Sequence, residues 1–138
     1  MTVGALPLTV IHRLLDNDVE VSSAAITATR GRVARMRREL KIDIGQALDD
    51  VDIDRLPETL ARAEQVLLDT EKRNLLFVFA PADPAASGKI VVEVNYADRV
   101  KLHGARRKER ITTNAILSAG YVDPDNLRQA RYQRVDGG

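Results

Sequence analysis

The sequence predicts an α+β fold in which two N-terminal helices pack on a small antiparallel β-sheet. Apolar residues in the first half of the chain recur at helical spacing, whereas those after about residue 70 alternate as in strands. The order of helices first and strands second favours helices on one face of an antiparallel sheet. The 138 residues fit one domain, because a chain of this length builds a single core. Its parts are a lead-in (1–20), a helical half (21–70), a sheet half (71–122) and a C-terminal tail (123–138).

The helical half contains two amphipathic patterns. The first helix is predicted over Ala24–Leu40, with Ser22 or Ser23 as its N-cap. Its apolar stripe consists of Ile26, Val33, Met36 and Leu40. Asp54 is expected to cap the second helix, and Pro57 is tolerated in its first turn. Its apolar stripe consists of Leu56, Leu60, Ala63 and Leu67. Leu6–Leu15 is an apolar stretch to which the pattern assigns no element.

Three segments of the sheet half predict strands, namely Leu75–Ala80, Lys89–Tyr96 and Arg110–Ser118. The first is a compact apolar run, typical of a central strand, and the second alternates and is expected to pair beside it. A basic loop, Ala97–Glu109, is predicted between the second and third strands. Gln65–Asp69 is also compatible with extended chain, and Asp123–Pro124 is expected to open a short helix. The expected core is Ile26, Val33, Met36, Leu60, Phe77, Phe79, Val92 and Val94.

Charge is balanced overall but uneven along the chain. The formal net charge is +1, yet Arg30–Lys41 holds six basic residues and one acid, and Asp43–Glu58 holds six acids and one base. A second basic block, Asp98–Arg110, holds six basic residues and two acids, a net charge of +4. Two interpretations follow. The basic blocks form one surface that faces a polyanion, or they are solvated faces, one of them neutralised by the acidic block.

Composition excludes several classes of site. The absence of cysteine excludes disulfides, thiolate zinc sites and a cysteine nucleophile, and two histidines make a histidine-rich metal site unfavourable. The sequence has no glycine-rich nucleotide-binding loop and no apolar run long enough for a membrane span. The carboxylates of residues 49–54 are interpreted as helix-capping groups rather than as metal ligands. We therefore expect no metal, no cofactor and no membrane association.

The remaining chemistry-bearing groups suit metal-independent cleavage of RNA, which needs a base, an acid and cations for the phosphorane charge. The candidate catalytic residues are Lys101, His103, Arg106 and Thr113. His103 is the candidate acid or base because imidazole titrates near neutral pH. The candidate phosphate-binding residues are Arg37, Arg38, Lys41, Arg107 and Lys108. The alternative is a solvated loop in which His103 has no role.

Several segments resemble phage-borne nuclease-like domains of the barnase–EndoU–colicin–RelE (BECR) superfamily. The resemblance runs over roughly Asp18–Ser118 and rests on Asp18–Ala24 with the arginine-rich segment after it, Asp52–Leu60, Leu75–Val78 and Ile90–Val94. It implies a toxin-like or effector-like ribonuclease with RNA as substrate. It also implies an inhibitor or a phage structural protein as partner, and a cytoplasmic or virion-associated location.

Two departures from that family bear on activity. Such domains often carry a histidine just after the first long helix, where this chain has Leu40 and Lys41. They also often carry a lysine near the end of the strand that matches Ile90–Tyr96, where this chain has Asn95 and Tyr96. Two functions therefore stay open at this point. One is a metal-independent ribonuclease, and the other is a non-catalytic phage accessory or structural protein that binds protein or nucleic acid.

Overall fold

A computed structural model of the chain describes residues 2–29, 31, 33–34, 55–80, 87–100, 104, 106–107 and 109–136. Within them, seven strands form one sheet. The strands are β1 (Thr2–Ala5), β2 (Ala25–Thr27), β3 (Gln65–Asp69), β4 (Asn74–Phe79), β5 (Ser87–Val100), β6 (Glu109–Val122) and β7 (Tyr132–Arg134). The helices are α1 (Leu8–Asp16), α2 (Leu56–Ala61) and a 3₁₀ helix (Pro124–Arg128). Gly31, Val33 and Ala34 are also helical.

The sheet is mixed, with the strand order β1-β2-β6-β5-β4-β3-β7. Adjacent strands are antiparallel except β2 and β6, which run parallel through Ile26–Asn114 and Thr27–Ala115. The predicted fold class, two N-terminal helices on a small antiparallel sheet, is therefore wrong. The N-terminal part of the chain supplies two strands of a large mixed sheet, and a BECR-like arrangement of two leading helices is not what forms.

The first predicted helix is wrong at its start, because Ala25–Thr27 is strand β2 and Gly31, Val33 and Ala34 are the described helical residues. Ile26 fits a helical stripe, but it is fully buried as a strand residue between β1 and β6. The β-branched Ile26 and Thr27 favour the extended chain once two neighbouring strands are available. Residues 35–40 lie outside the described residues.

The second predicted helix exists but is short. It spans Leu56–Ala61, with Pro57 in its first turn as expected. Arg55 precedes it without a side-chain cap, and the predicted cap, Asp54, lies outside the described residues. Leu67, which the helical pattern included, is a residue of β3 paired with Leu76. The alternative that this stretch is extended is thus the correct one.

The lead-in contains two elements that the sequence pattern did not assign. β1 pairs antiparallel with β2, and α1 follows it with Val10 and Leu14 fully buried. α1 and α2 both bury their apolar residues in the cluster that contains the core side chains of β4 and β5. Both helices therefore cover the same face of the sheet.

The strand predictions of the sheet half are confirmed in position. β4 pairs with β5 from Phe79–Gly88 to Asn74–Glu93, and β5 pairs with β6. Both β5 and β6 have 14 residues, longer than predicted, so Ala97–Val100 and Glu109 of the expected basic loop are strand residues. The predicted short helix after Asp123 is a 3₁₀ helix, in which the Asp123 side chain accepts a hydrogen bond from the Asp125 N–H at 2.9 Å.

The core has a main cluster between the helices and the sheet and a smaller cluster on the opposite face. The main cluster includes five expected core residues, Ile26, Leu60, Phe77, Phe79 and Val92. Val33 and Val94 pack against it while half-buried, and Met36 lies outside the described residues. The smaller cluster consists of Leu67, Leu76 and Val78, packed against Val91, Leu127 and Tyr132. Among the described residues, no helix has the length and apolar character needed to cross a bilayer.

Candidate nucleic-acid interface

The hairpin formed by β5 and β6 extends beyond the rest of the sheet. β4 accompanies β5 only as far as Glu93, and β2 accompanies β6 only at Asn114 and Ala115. From the pair Tyr96–Thr113 onward, the described parts of the two strands pair only with each other. We call residues 96–113 the β5–β6 arm. Its five paired residues on each strand give a length of about 15 Å at about 3.4 Å per residue.

A β-bulge at Asn95 marks the point where the arm leaves the sheet. The register shifts between Glu93 and Tyr96, and Asn95 has a φ of 57°, a left-handed conformation that asparagine tolerates. Its side-chain amide donates to the carbonyl of Glu20 at 2.8 Å, and its side-chain oxygen accepts from the N–H of Ser22 at 2.9 Å. The bulge is thereby tied to the chain segment that leads into β2.

Asn114 completes this connection from the opposite strand. Its side chain is fully buried, and its oxygen accepts from the backbone N–H of Asn95 at 3.2 Å. Its amide nitrogen donates to the carbonyls of Ser23 at 2.6 Å and Ala25 at 3.0 Å. Because a bulge bends a strand and increases its twist, these two asparagines set the direction in which the arm points.

The arm coincides with the second basic block of the sequence. Asp98–Arg110 carries a net charge of +4, and the side chains of Arg106, Arg107 and Arg110 are exposed. Ala97 and Thr112 are exposed as well, and Gly104 adopts a φ of 81° that glycine accommodates without strain. Arg106 and Arg107 lie between the two paired strands, and the sequence charges of those strands, Asp98, Arg99, Glu109 and Arg110, sum to zero.

The predicted site residues fall into three groups. Arg106 and Arg107 are exposed in the arm. Thr113 is buried at the base of the arm, where its hydroxyl lies 3.4 Å from both the Ala25 carbonyl oxygen and the Thr27 hydroxyl. The remaining predicted site residues lie outside the described residues, and they are Arg37, Arg38, Lys41, Lys101, His103 and Lys108. Arg106 and Arg107 thus lie between β5 and β6, and the Thr113 hydroxyl contacts β2.

Sequence reasoning missed Asn95 and Asn114 as the residues that orient the arm. A signal for them exists, because asparagine is depleted in strands and each of these residues interrupts a run of strand-forming residues. An asparagine in such a run is compatible with a bulge, since it accepts a positive φ and its side chain replaces missing backbone hydrogen bonds.

The chain was compared with protein-family models, curated proteins and solved structures, and none of them matches it. The resemblance to BECR nuclease domains therefore stays a prediction. Within the described parts of the chain, no group of three or more histidine, aspartate or glutamate side chains is placed to hold a metal ion.

Proposed function

We propose that this protein binds RNA through the β5–β6 arm. The observation that carries the proposal is that the exposed Arg106 and Arg107 lie between the two paired strands of the arm, within a stretch of sequence whose net charge is +4. The phosphodiester backbone of RNA attracts basic side chains, because neutralising the charges of the phosphates releases condensed counterions. Exposed arginines add directed contacts, since a guanidinium donates two hydrogen bonds to one phosphate.

The shape of the arm supports this function as much as its charge does. The arm leaves the side chains of Arg106, Arg107 and Arg110 exposed to solvent, where they can reach phosphates. The arm, about 15 Å long, has room for contacts with more than one phosphate of a strand that lies along it. The chain has three tyrosines, two phenylalanines and no tryptophan, which disfavours a stacking platform and leaves phosphate contacts as the main source of affinity.

The test of binding is charge reversal in the arm with a matched control. Fluorescence anisotropy of a labelled single-stranded RNA is measured for the wild type, for Arg106→Glu with Arg107→Glu, and for Arg13→Glu with Arg128→Glu. Both double variants change the net charge equally, but Arg13 lies in the last turn of α1 and Arg128 lies in the 3₁₀ helix. The arm variant should bind about tenfold more weakly or worse, whereas the control should retain most of its affinity. Equal affinity of the two double variants would reject the arm as the binding surface.

Salt dependence gives a second, independent readout. Six phosphate contacts to a single strand predict a slope of roughly −4 for log K against log salt concentration, at about −0.7 for each contact. The arm variant should show a smaller slope. A slope near zero for the wild type would contradict an electrostatic interface.

A second function, metal-independent cleavage of the bound RNA, rests on His103, which the sequence places in the arm between Lys101 and Arg106. Neutral imidazole takes the proton of a 2′-hydroxyl, and the 2′-oxygen attacks the adjacent phosphorus. The 5′-oxygen leaves with a proton supplied by Lys101, which gives a 2′,3′-cyclic phosphate and a 5′-hydroxyl end. Arg106 offsets the phosphorane charge.

The test of cleavage compares the wild type with His103→Ala on a defined RNA in EDTA. A cyclic-phosphate product that falls about 10²–10⁴-fold in the variant supports His103 as the base. Equal rates reject that role. If the wild type cleaves no class of RNA, the protein is a binding protein without this activity, as in the non-catalytic phage accessory alternative.

A further inference from the structure

A cavity of about 330 Å³ opens on the face of the sheet opposite α1 and α2. This volume is in the range of cavities that hold small organic ligands. Its floor includes the apolar Leu76 and Val91, and the Tyr132 side chain forms part of its wall. Its polar lining consists of Asp69, Lys72, Asn74, Lys89, Ser118 and Arg131. None of these residues belongs to the β5–β6 arm.

Within the part of the chain that the structure describes, two cations of this cavity have no carboxylate partner. Asp69 is fully used, because its carboxylate accepts from Arg131 at 2.7 and 3.1 Å and from the N–H groups of Glu71 and Lys72 at 3.0 and 3.2 Å. Arg131 in turn is neutralised by Asp69 and by Glu71, which lies 3.3 Å away. Lys72 and Lys89 form no ion pair with any described residue, so two positive charges face the cavity.

We propose that this cavity binds a phosphate monoester, the group carried by a nucleoside monophosphate or by the 5′ end of an RNA. A monoester has a charge of about −1.5 to −2 at pH 7, which matches Lys72 and Lys89, whereas a phosphodiester carries only about −1. The amide of Asn74 and the hydroxyl of Ser118 are neutral donors to the phosphoryl oxygens. The apolar floor and the Tyr132 ring accept the organic part of the ligand.

The test is calorimetric titration of the full chain with 5′-AMP and with adenosine. 5′-AMP should bind saturably, and adenosine should bind at least about tenfold more weakly, because a hydrogen-bonded charge contributes about that factor or more. Lys72→Gln and Lys89→Gln should each weaken 5′-AMP binding about tenfold. Arg128→Gln is the matched control, since it removes one positive charge from an exposed side chain outside the cavity. The variant Arg106→Glu with Arg107→Glu should bind 5′-AMP like the wild type.

Two outcomes overturn the proposal. One is the absence of saturable 5′-AMP binding, and the other is equal binding by the wild type and the two cavity variants. The source of the monoester is identified with a short RNA that has either a 5′-phosphate or a 5′-hydroxyl. The Arg106→Glu, Arg107→Glu background is used to weaken the contribution of the arm, and both RNAs are measured in it. A tighter complex for the phosphorylated RNA than for 5′-AMP assigns the site to RNA ends, and a weaker one assigns it to free nucleotides.

Discussion

Asn114 connects parts of the sheet that lie far apart in the sequence. It is fully buried, and its single side chain bonds to the backbone of Asn95, Ser23 and Ala25. Three strand segments separated widely in sequence are therefore held by one amide. A buried amide with all its partners satisfied is stabilising mainly because its removal leaves those partners without hydrogen bonds.

Asn114→Ala is expected to lower the free energy of unfolding by about 2–4 kcal/mol, since it removes a buried side chain and its bonds to three partly buried backbone groups. The measurement is urea denaturation followed by circular dichroism. Asn126→Ala is the control, because the Asn126 side chain is exposed, and it should cost less than about 0.5 kcal/mol. A loss below about 1 kcal/mol for Asn114→Ala would show that the network at the base of the arm is not formed.

Asp69 gives the molecule a defined response to acid. Burial raises the pKa of Asp69. The hydrogen bond from Arg131, the hydrogen bonds from the N–H groups of Lys72 and Glu71, and the charge of Arg131 together lower that pKa by more than burial raises it. The net result is a pKa below the ordinary value of the carboxyl group. Because the folded state has the lower pKa, ionised Asp69 contributes stability above about pH 4, and this contribution is lost as the pH falls through the folded pKa.

The expected outcome is that the free energy of unfolding falls more steeply below about pH 4 for the wild type than for Asp69→Asn. Urea denaturation at a series of pH values measures both curves. The pKa of Asp136 is lowered as well. Burial raises that pKa, but hydrogen bonds from Arg134 and from backbone N–H groups lower it by a larger amount. It contributes in the same direction but is present in both proteins. Parallel curves for the two proteins would exclude Asp69 as a source of the acid response.

At the scale of elements, the close approach of β4 and β5 depends on Gly88. An added Cβ at Gly88 would lie 2.4 Å from Cζ of Phe79, and two further atoms of the same ring would lie within 2.8 Å. The Phe79 ring is buried, so it has little room to move away. The Phe79 ring lies over Gly88 of β5, in the space that a side chain at position 88 would occupy.

Gly88→Ala is therefore expected to cost about 1–3 kcal/mol, the usual range for overpacking a core. Phe79→Leu removes the obstructing ring, so Gly88→Ala should cost less in that background. The comparison is a double-mutant cycle measured by thermal or urea denaturation. Additive effects of the two substitutions would mean that the ring does not cover Gly88.

Sequence periodicity predicts the elements whose neighbours are close in the chain. β4 and β5 are long enough to show an apolar run and an alternation, and their pairing needs only a short connection. β2 has three residues, and its parallel partner β6 lies more than 80 residues away. No local pattern contains that partner, so Ile26 is read as a helical residue. β1 has four residues and includes Gly4, which leaves even less of a pattern.

The charge of the candidate site can be predicted from the sequence, but its strand conformation and its direction cannot. The basic block Asp98–Arg110 is evident from the sequence, but charged residues are unfavourable in strands and suggest a loop. The strand conformation of Ala97–Val100 follows from pairing with the residues opposite, as in Asp98–Ile111 and Arg99–Arg110. The direction of the arm depends on the side chains of Asn95 and Asn114, which meet only in the folded chain.

At the scale of the whole molecule, the structure separates the part that folds the chain from the part proposed to bind RNA. The described side chains of Ala97 and Arg110–Thr112 are exposed, and the buried apolar residues lie elsewhere. The arm thus adds few contacts that the sheet requires. Tyr96 and Thr113 pair directly across the hairpin. A two-residue Asn-Gly turn can therefore join them, because the backbone twist of such a turn matches that of the flanking strands.

Replacing residues 97–112 with Asn-Gly is expected to leave the sheet folded and to remove RNA binding. The free energy of unfolding should stay within about 1 kcal/mol of the wild type, because exposed residues contribute little to stability. RNA affinity should fall well beyond the loss caused by Arg106→Glu with Arg107→Glu, since the deletion removes the whole +4 block. Urea denaturation and RNA anisotropy measure the two effects on one preparation. A shortened protein that is folded and still binds RNA at the wild-type level would place the interface elsewhere. One that unfolds would show that the arm stabilises the sheet, contrary to the exposure of its side chains.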